Sequence, residues 1–491
     1  MLLINSALAA LAVNTTSSDL PDHAPGDGIC EATLGAGDCT LRAAVEESEA
    51  VPGTETIVLG VGTSTLTLGE LLIQDSLRIT GVGSSSVIDG NGDRVFVVDG
   101  GTLALAHLDL TGGDAAWGGA LLILGGRVRL SAVSAYDNHA EHQGGVAFMN
   151  TGTLEILDSQ AWSNEAEAGG VFSGGGTLTV ATSSFKGNLA DYSGGVLAIT
   201  GQATVTKCTF AANEAWSTGG AINSQGDLSV ESSVFEDNTA GAGGAIGAQT
   251  GTLSISYTLF SGNVADFSNG GAIYSNGPAV RIGSSTFSGN YALQDGGAIS
   301  LGAMPPTRID VLDSSFVRNS AELEGGAVKF SNGDIRLANS TLAYNATLGQ
   351  GGGLYALNGT VRLEHLTITG NQANEGGGLR TTATVSSAGS VLLADNAAST
   401  GRDCYGGVTS AGDNLVGSTT GCTWTAGPGD QLNAAPGLGG LSWSSSPGGT
   451  VVTLASTSSA IDAGGLCSAY PTDQIGQGRV GVCDVGAWEA P

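Results

Sequence analysis

Short runs that alternate between apolar and polar residues recur along the middle of the chain and are separated by Gly, Asn and Ser. Residues 176–180, 251–255 and 359–363 are examples. Such alternation, together with β-branched residues, is typical of strands that bury one face. The segments between the runs are too short for a helix. The pattern therefore predicts about three short strands, joined by turns, in each repeating unit.

An asparagine recurs every 24 to 29 residues, and an apolar residue stands three positions before each one. A pair of glycines follows each of the first ten asparagines by five to seven residues. The eleven asparagines are Asn138, Asn164, Asn188, Asn213, Asn238, Asn263, Asn290, Asn319, Asn345, Asn371 and Asn396. A unit of this length that holds only short strands cannot bury its apolar face alone, so the units are expected to stack.

Stacking gives each recurring residue type a physical role. Each strand would pair in parallel with its equivalent in the next coil, about 4.8 Å away. The apolar residues before the asparagines, such as Phe210 and Phe235, would then fill the interior. The asparagines would form a ladder at a turn, with amides bonded from coil to coil. The glycine pair would allow a tight bend. We predict an all-β fold, a single-stranded right-handed parallel β-helix (a pectate-lyase-like solenoid) with about 12–15 coils of roughly 25 residues.

The patterning divides the chain into four segments. Residues 1–12 are apolar, end in a small-x-small pattern and are interpreted as a signal-peptide remnant. Residues 13–55 are predicted to form an N-terminal cap with a short amphipathic helix over residues 40–47. Residues 56–400 hold the β-helix. Residues 401–491 lose the repeat and are predicted to form a C-terminal cap or anchor-like region. No apolar run approaches the roughly 18 residues of a transmembrane segment.

Charge and cysteine content bear on partners and compartment. The net charge is −29, from 45 acidic and 16 basic residues, which disfavours nucleic acid and anionic membranes as partners. An acidic surface is compatible with Ca²⁺ or a cationic partner, and no other cofactor is expected. Six of the seven cysteines form close pairs that are predicted to be disulfides of an exported protein: Cys30 and Cys39, Cys404 and Cys422, Cys467 and Cys483. The seventh, Cys208, is expected to be a buried thiol.

The Phe-x-x-Asn and Gly-Gly-Ala-Ile pattern resembles the repeat of chlamydial polymorphic outer membrane proteins. The resemblance covers residues from about 110 to 400. It implies an exported, surface-located or adhesin-like β-helix of bacterial type, and it names no ligand.

Two further segments resemble parts of exported bacterial proteins. Residues 27–45 are similar to an N-terminal domain named for its Cys-Ser-Leu-Arg-Glu-Ala motif, although this chain reads Cys-Thr-Leu-Arg-Ala-Ala from Cys39. Residues 460–464 and 483–489 are similar to a C-terminal region called choice-of-anchor Q. In that group a surface-sorting tail usually follows, and this chain stops at Pro491, so the anchoring route stays open.

A polysaccharide lyase would need clustered carboxylates for Ca²⁺ and a basic residue that removes a proton. Here the basic residues are scattered, and only Arg336 and Arg362 stand at a coil-like spacing, which also fits outward strand positions. A glycosidase needs two carboxylates about 5–9 Å apart, which adjacent acidic coils can supply almost anywhere. Residues 89–93 resemble the start of a Ca²⁺ loop but lack its sixth-position Gly and twelfth-position Glu, so a Gly-rich turn is favoured. The sequence assigns no catalytic residue and no metal ligand.

The segment between each asparagine and its glycine pair is interpreted as a loop, and stacking would place all these loops on one edge of the solenoid. The loops collect aromatic and acidic residues that suit a glycan or a protein ligand, although the rings could simply cover their own turns. The candidate ligand-binding residues are Trp117, Tyr192, Trp216, Phe267, Tyr291, Asp191, Glu214, Asp266 and Asp295.

Three functional hypotheses follow from the sequence. The first is a surface adhesin, stalk or structural module, with glycan binding as one form of it. The second is a carbohydrate-active enzyme, which predicts a groove where carboxylates converge from adjacent coils. The third is a self-associating fibre subunit, which predicts an uncapped or complementary end. The sequence leaves the ligand and the oligomeric state open.

Overall fold

The computed structural model describes residues 10–51, 53–302, 308–443 and 449–491. Its contacts divide the chain into two compact units, residues 1–209 and 210–491, which are described separately. In both units nearly every element is a strand, and the strands pair in parallel as the coils of a β-solenoid, with about 14 turns along the chain. The predicted parallel β-helix is confirmed.

A complete coil contains four short strands rather than the predicted three. The first three follow one another around the coil, and the fourth lies between the ladder asparagine and the glycine pair. Residues 147–168 show the order, with strands Ala147–Met149, Thr153–Leu157, Gln160–Trp162 and Glu165–Ala168. The segments that the sequence analysis interpreted as loops are therefore strands. That pattern was missed because the fourth strands are only two to five residues long.

The first unit begins with its caps and early coils. Its strands are Leu11–Val13, Thr54–Leu59, Gly62–Thr65, Leu71–Ile73, Ser76–Thr80, Ser86–Asp89, Phe96–Thr111, Asp114–Trp117, Leu121–Tyr136, His139–Gln143, Ala147–Met149, Thr153–Leu157, Gln160–Trp162, Glu165–Ala168, Phe172–Gly174, Thr177–Ala181, Ser184–Lys186, Leu189–Ser193, Leu197–Ile199 and Gln202–Thr206. The two 16-residue strands pass through the first three positions of a coil without a break.

The second unit repeats the four-strand coil in register. Its first strands are Ile222–Ser224, Ile246–Ala248, Ile273–Ser275, Ile299–Leu301, Val328–Phe330, Leu354–Ala356 and Leu379–Thr381. Its second strands are Leu228–Glu231, Leu253–Ser256, Ala279–Gly283, Arg308–Leu312, Asp334–Ala338, Thr360–Glu364 and Thr384–Gly389. Its third strands are Thr209–Ala211 (at the division), Val234–Glu236, Leu259–Ser261, Thr286–Ser288, Ser315–Val317, Thr341–Ala343, Thr367–Thr369 and Leu392–Ala394. Its fourth strands are Glu214–Thr218, Thr239–Ala242, Val264–Ala265, Tyr291–Ala292, Ser320–Ala321, Ala346–Thr347, Gln372–Glu375 and Ala397–Thr400.

A column of phenylalanine rings fills the interior of the second unit. Phe210, Phe235, Phe260, Phe287 and Phe316 are buried, and successive rings are nearly parallel with centroids 4.7 to 4.9 Å apart. That separation matches the spacing of paired strands, because each ring sits at the same position in adjacent coils. Leu342, Ile368 and Leu393 continue the column in later coils.

The asparagines form buried hydrogen-bonded ladders within each unit. In the second unit the Nδ2 of Asn290 donates to Oδ1 of Asn319 at 2.9 Å and to the carbonyl of Phe260 at 3.1 Å. The backbone N–H of Asn290 donates to the same Oδ1 at 3.0 Å. The ladder ends at Asp403, whose Oδ1 accepts from the backbone and side chain of Asn396 at 3.0 Å. In the first unit, Asn138, Asn164 and Asn188 follow the same pattern.

The glycine pair forms the tight bend after each fourth strand. Gly296 has φ +66°, and a Cβ there would lie 2.2 Å from the carbonyl oxygen of Ile299. A Cβ on Gly297 would lie 2.1 Å from the carbonyl oxygen of Gly326 in the next coil. A side chain at either position would thus collide with backbone. Gly296 is required by the tight turn within its own coil, and Gly297 is required by the close approach of the next coil.

The N-terminal segment covers the first coil. The helix Leu41–Ala50 begins after Thr40, whose Oγ1 accepts from the N–H of Ala43 at 3.0 Å. Arg42 pairs with Asp19 at 2.8 Å, and Cys30 is joined to Cys39. The strand Leu11–Val13 pairs with residues 57–59, so Leu11 and Ala12 form part of a sheet. Residues 1–9 of the predicted signal-peptide remnant lie outside the described residues.

The parallel ladder continues past residue 400, where the sequence analysis placed its end. Strands Cys404–Gly412, Leu415–Val416, Cys422–Thr425 and Gln431–Leu432 add further partial coils, and Leu438–Trp443 and Thr450–Leu454 form an antiparallel hairpin. The predicted disulfides Cys404–Cys422 and Cys467–Cys483 form in this region. Cys208, in the first unit, is buried, and burial raises the pKa of its thiol to about 11.

Residues 449–491 fold back along the flank of the second unit. Thr341 Oγ1 lies 2.6 Å from Oε1 of Gln474, and the N–H of Ala487 donates to Oγ1 of Thr367 at 3.0 Å. The N–H of Gly465 donates to Oγ of Ser390 at 2.8 Å. This part of the C-terminal region therefore covers the outward side of the third strands rather than the end of the solenoid.

His365 lies buried beneath this C-terminal segment and makes stability depend on pH. Its ring packs edge-on against Tyr470, and burial, together with the charge of Arg479, lowers its pKa from 6.5 to about 4. The unfolded chain therefore takes up a proton before the folded chain does, so this contribution is complete above pH 6.5 and is lost as pH falls towards 4. We expect a loss on the order of 3 kcal/mol from this group.

Hydrogen exchange of residues 465–487 at pH 4 and pH 7, expressed as the protection factor of each amide, measures that effect. The variant His365→Asn suits the left-handed backbone of position 365 (φ +49°). In this variant the difference in protection factor between the two pH values should shrink. An unchanged difference in the variant would assign the pH dependence to the carboxylates of this region instead.

Candidate functional site

The fourth strands present the candidate ligand-binding side chains. The second residue after the ladder asparagine is small and buried, as at Ala215 and Ala265, while its neighbours point outwards. Because equivalent positions recur about every 4.8 Å, outward side chains of neighbouring coils can contact one another. The structure brings some of the predicted residues together in this way and separates others.

In the first unit the predicted aromatic residues lie apart. Trp117 packs against His142 and the edge of Phe148, with centroids 5.2 and 5.0 Å away. Asp191 and Tyr192 are exposed on a fourth strand three coils further along. Trp117 therefore covers its own coil and its neighbour, and the first unit offers no combined aromatic site from these residues.

In the second unit, Trp216 and Phe267 meet although they lie two coils apart. Their ring centroids are 6.4 Å apart at an angle of 53°, and the residues are 66% and 56% exposed. The coil between them carries Gly241, where a Cβ would lie 2.8 Å from the backbone oxygens of Trp216 and Ser217 and 3.5 Å from Cδ2 of Phe267. No side chain of the intervening coil therefore stands between the two rings at this position. We call Trp216, Gly241 and Phe267 the aromatic notch.

The aromatic notch opens into a shallow cleft. The cleft has a volume of about 320 Å³, and its other lining residues are Ser217, Thr218, Ala242 and Ser268. The hydroxyl groups stand beside the rings, so the cleft combines flat apolar faces with groups that donate and accept hydrogen bonds. Such a combination suits a ligand that is itself both flat-faced and rich in hydroxyls.

Two carboxylates flank the aromatic notch. Glu214 lies two residues before Trp216, and Asp266 directly precedes Phe267; both are exposed. Partial burial raises the pKa of Asp266, and the negative charge of Glu214 raises it further. The register pairs Ala215, Ala240 and Ala265, so Glu214 and Trp216 lie on the same fourth-strand face as Asp266 and Phe267, two coils away.

Tyr291 and Asp295 belong to a different cluster from the aromatic notch. The Tyr291 hydroxyl lies 3.1 Å from Oε1 of Glu322. Asp295 holds Lys329, whose Nζ lies 2.6 Å from Asp295 and 2.8 Å from Glu324. Burial raises the pKa of Asp295, and the hydrogen bond and charge of Lys329 only partly offset this.

Lys329 is not suited to act as a base. Burial alone would lower the pKa of its ammonium group, but hydrogen bonds to Asp295 and Glu324 reverse the effect, and the pKa lies above its usual value.

Arg336 and Arg362 occupy equivalent positions in adjacent coils, as their spacing suggested. Arg336 bonds to Glu364 at 3.1 Å and to the Tyr470 hydroxyl at 2.6 Å beneath the C-terminal segment.

Sequence reasoning missed Gly241, Lys329, Leu323 and Leu348. Gly241 could have been noticed, because the fourth strand Thr239–Ala242 carries no large side chain between two coils that do. No local pattern in the sequence indicates the ion pairs of Lys329, because one of its partners, Asp295, lies 34 residues away along the chain. The exposed leucines were passed over because single apolar surface residues are common.

The described residues show neither a metal-binding cluster nor a membrane-spanning helix. These residues contain no group of three or more His, Cys, Asp or Glu placed to hold a metal ion. The Ca²⁺-loop resemblance at residues 89–93 corresponds to a turn, in which Asp89 accepts from the N–H of Asn91 at 2.8 Å. No helix among the described residues is long and apolar enough to cross a bilayer.

Comparison with known proteins supports the repeat. The repeat of the Chlamydia polymorphic membrane protein family matches residues 284–302, which include Phe287, Asn290 and the pair Gly296 and Gly297. No curated protein matches the chain. Among solved structures, the crystal structure of pectate lyase Pel9A is similar with 13% identity and a TM-score of 0.25, covering 98% of this chain and 96% of that chain.

Proposed function

We propose that this protein is an exported surface β-helix that binds a glycan through the aromatic notch. The observation that supports this best is the meeting of Trp216 and Phe267 over Gly241, which creates an exposed two-ring platform beside hydroxyl groups. Sugar rings have apolar faces that stack on aromatic rings, and their hydroxyls bond to nearby carboxylates and hydroxyls.

The charge around the aromatic notch narrows the ligand class. Glu214 and Asp266 are acidic, and none of the described residues that line the cleft is basic. A polyuronate would be repelled by these carboxylates and by the net charge of −29. The proposed ligand is therefore a neutral or an amino-substituted glycan.

Export and surface exposure are part of the proposal. Three disulfides suit an oxidising compartment outside the cytoplasm, and the polymorphic-membrane-protein repeat occurs in a family named for its membrane location. In this setting the stacked coils of the second unit serve as a support for the aromatic notch. The adhesin or stalk role is favoured over a fibre subunit, because a helix covers the first coil.

A glycan-array screen of the whole chain tests the proposal, followed by titration calorimetry on the strongest hit. Trp216→Ala should weaken binding at least about tenfold, because a central exposed aromatic residue carries much of the energy of such a contact. Tyr257→Ala removes another exposed ring outside the notch and should leave affinity unchanged. Equal losses in both variants, or no glycan bound by the wild type, would refute the proposal.

A second function, glycoside hydrolysis, is supported by one observation. Partial burial raises the pKa of Asp266, which lies on the same fourth-strand face as Glu214, and an acid–base glycosidase uses a carboxyl group with a raised pKa as its acid. Incubating each bound glycan with the wild type and with Asp266→Asn separates the two functions. Release of reducing ends that disappears in the variant would establish catalysis. Binding without release would favour a purely adhesive role.

A further inference from the structure

Three leucines are exposed beside the fourth strands of the second unit. Leu293, Leu323 and Leu348 come from three successive coils and are 41%, 53% and 75% exposed. Leu323 stands one position further along its coil than the other two, because Ala292, Ala321 and Thr347 are register partners. Leu323 and Leu348 share one groove whose described lining contains no aromatic ring, so this surface differs chemically from the aromatic notch.

The last two leucines line an open groove of about 630 Å³ together with Asp295, Glu322, Glu324 and Gln350. Gly349 forms its floor, and a Cβ there would lie 1.8 Å from the carbonyl oxygen of Leu323. The absence of that side chain keeps the floor low between the two leucines. We call this site, defined by Leu323, Leu348, Gly349 and the three carboxylates, the leucine groove.

The leucine groove is net negative. It contains three carboxylates and no basic lining residue among those described, and Lys329 beside it is held between Asp295 and Glu324 at 2.6 and 2.8 Å. Glu322 accepts a hydrogen bond from Tyr291, which steadies its carboxylate at the rim. Apolar walls and acidic groups thus lie side by side, and the whole chain, with a net charge of −29, steers cations towards them.

The backbone at the groove is already used within the solenoid. Asp295, Glu324, Gln350 and Glu375 form a continuous set of parallel backbone bridges from coil to coil. An added strand could therefore not extend a sheet here, and recognition must come from side chains. A partner needs aliphatic side chains for the leucines and cationic ones for the carboxylates.

We propose that the leucine groove docks a basic, aliphatic-rich peptide segment of a partner protein. Charge complementarity supports this occupant over a second copy of this chain, because two acidic grooves would repel each other. It also supports a peptide over a glycan, because the groove offers aliphatic walls and no exposed ring. The groove is separate from the glycan site, so either proposal can fail without the other.

Fluorescence anisotropy with two labelled peptides tests the docking. One probe alternates Lys and Leu, and the other alternates Lys and Ser with the same length and charge. The Lys/Leu probe should bind the whole chain at least about tenfold more tightly, since its leucine side chains are buried against Leu323 and Leu348 while the serines of the other probe are not. Equal binding of the two probes would show that bulk charge alone attracts them and would overturn the proposal.

Substitutions locate the site. The double variant Leu323→Ser and Leu348→Ser should lose at least tenfold affinity for the Lys/Leu probe while its circular dichroism stays unchanged. Leu259→Ser, at a leucine on a third strand that is 37% exposed, is the control and should bind normally. Trp216→Ala should also bind the peptide normally, which separates this site from the aromatic notch. Wild-type affinity in the double variant would overturn the proposal.

Discussion

Phe287→Ala should destabilise the second unit by about 4 kcal/mol, the largest effect expected from any single interior substitution. Phe287 is fully buried, and its ring stacks on Phe260 and Phe316 with centroids 4.7 and 4.8 Å away. Truncation removes both stacking contacts and leaves a cavity between two coils whose backbones are tied by parallel strands and cannot collapse onto it.

Hydrogen exchange is the measurement of choice, because a solenoid can open locally rather than all at once. Exchange should accelerate most in strands Leu259–Ser261, Thr286–Ser288 and Ser315–Val317. Phe287→Leu is the matched control and should cost only about 1 kcal/mol, since Leu342 occupies the equivalent position in a later coil. Equal destabilisation by Ala and Leu would mean that ring stacking, rather than filled volume, stabilises the column.

Asn290→Ala should cost about 3 kcal/mol although it removes no apolar surface. Its amide donates to Asn319 and Phe260, and its Oδ1 accepts from the backbone and side chain of Asn263 at 3.0 and 2.9 Å. The variant leaves these buried partners unsatisfied, and each such group costs roughly 1–3 kcal/mol with partial relaxation.

Two further variants separate the ladder from general effects of losing an amide. The free energy of unfolding of each variant is measured by urea denaturation. Asn374→Ala changes an exposed asparagine on a fourth strand and should be nearly neutral in this experiment. Asn290→Asp keeps the acceptor but cannot donate to Asn319, so it should cost nearly as much as alanine. Asp is tolerated at the end of the ladder, at Asp403, where it only needs to accept. A neutral Asn290→Ala variant would refute a stabilising role for the ladder.

The two proposed sites share one structural cause. Both lie on the fourth-strand face of the second unit, where outward residues vary from coil to coil while the inward alanines and the ladder asparagines repeat. Interior positions are constrained because they contact the same position in the coils above and below. Outward positions are free to differ, so binding surfaces can form there without disturbing the stack.

The coil period, the parallel stacking, the interior phenylalanines and the asparagine ladder could all be read from the amino-acid sequence, and the disulfide pairs could be predicted from it. This was possible because each of these features repeats or pairs at a spacing imposed by strand geometry. The number of strands in a coil was underestimated, because fourth strands such as Val264–Ala265 are too short to show an alternating pattern.

Which outward residues meet follows from the fold and not from any local pattern. Trp216 meets Phe267 across a coil that carries Gly241, and Lys329 lies between Asp295 and Glu324, which come from different coils. The C-terminal segment covers the third strands through contacts such as Thr341 with Gln474, 133 residues apart. These contacts depend on register between coils and on distant parts of the chain, which a local pattern of residues does not contain.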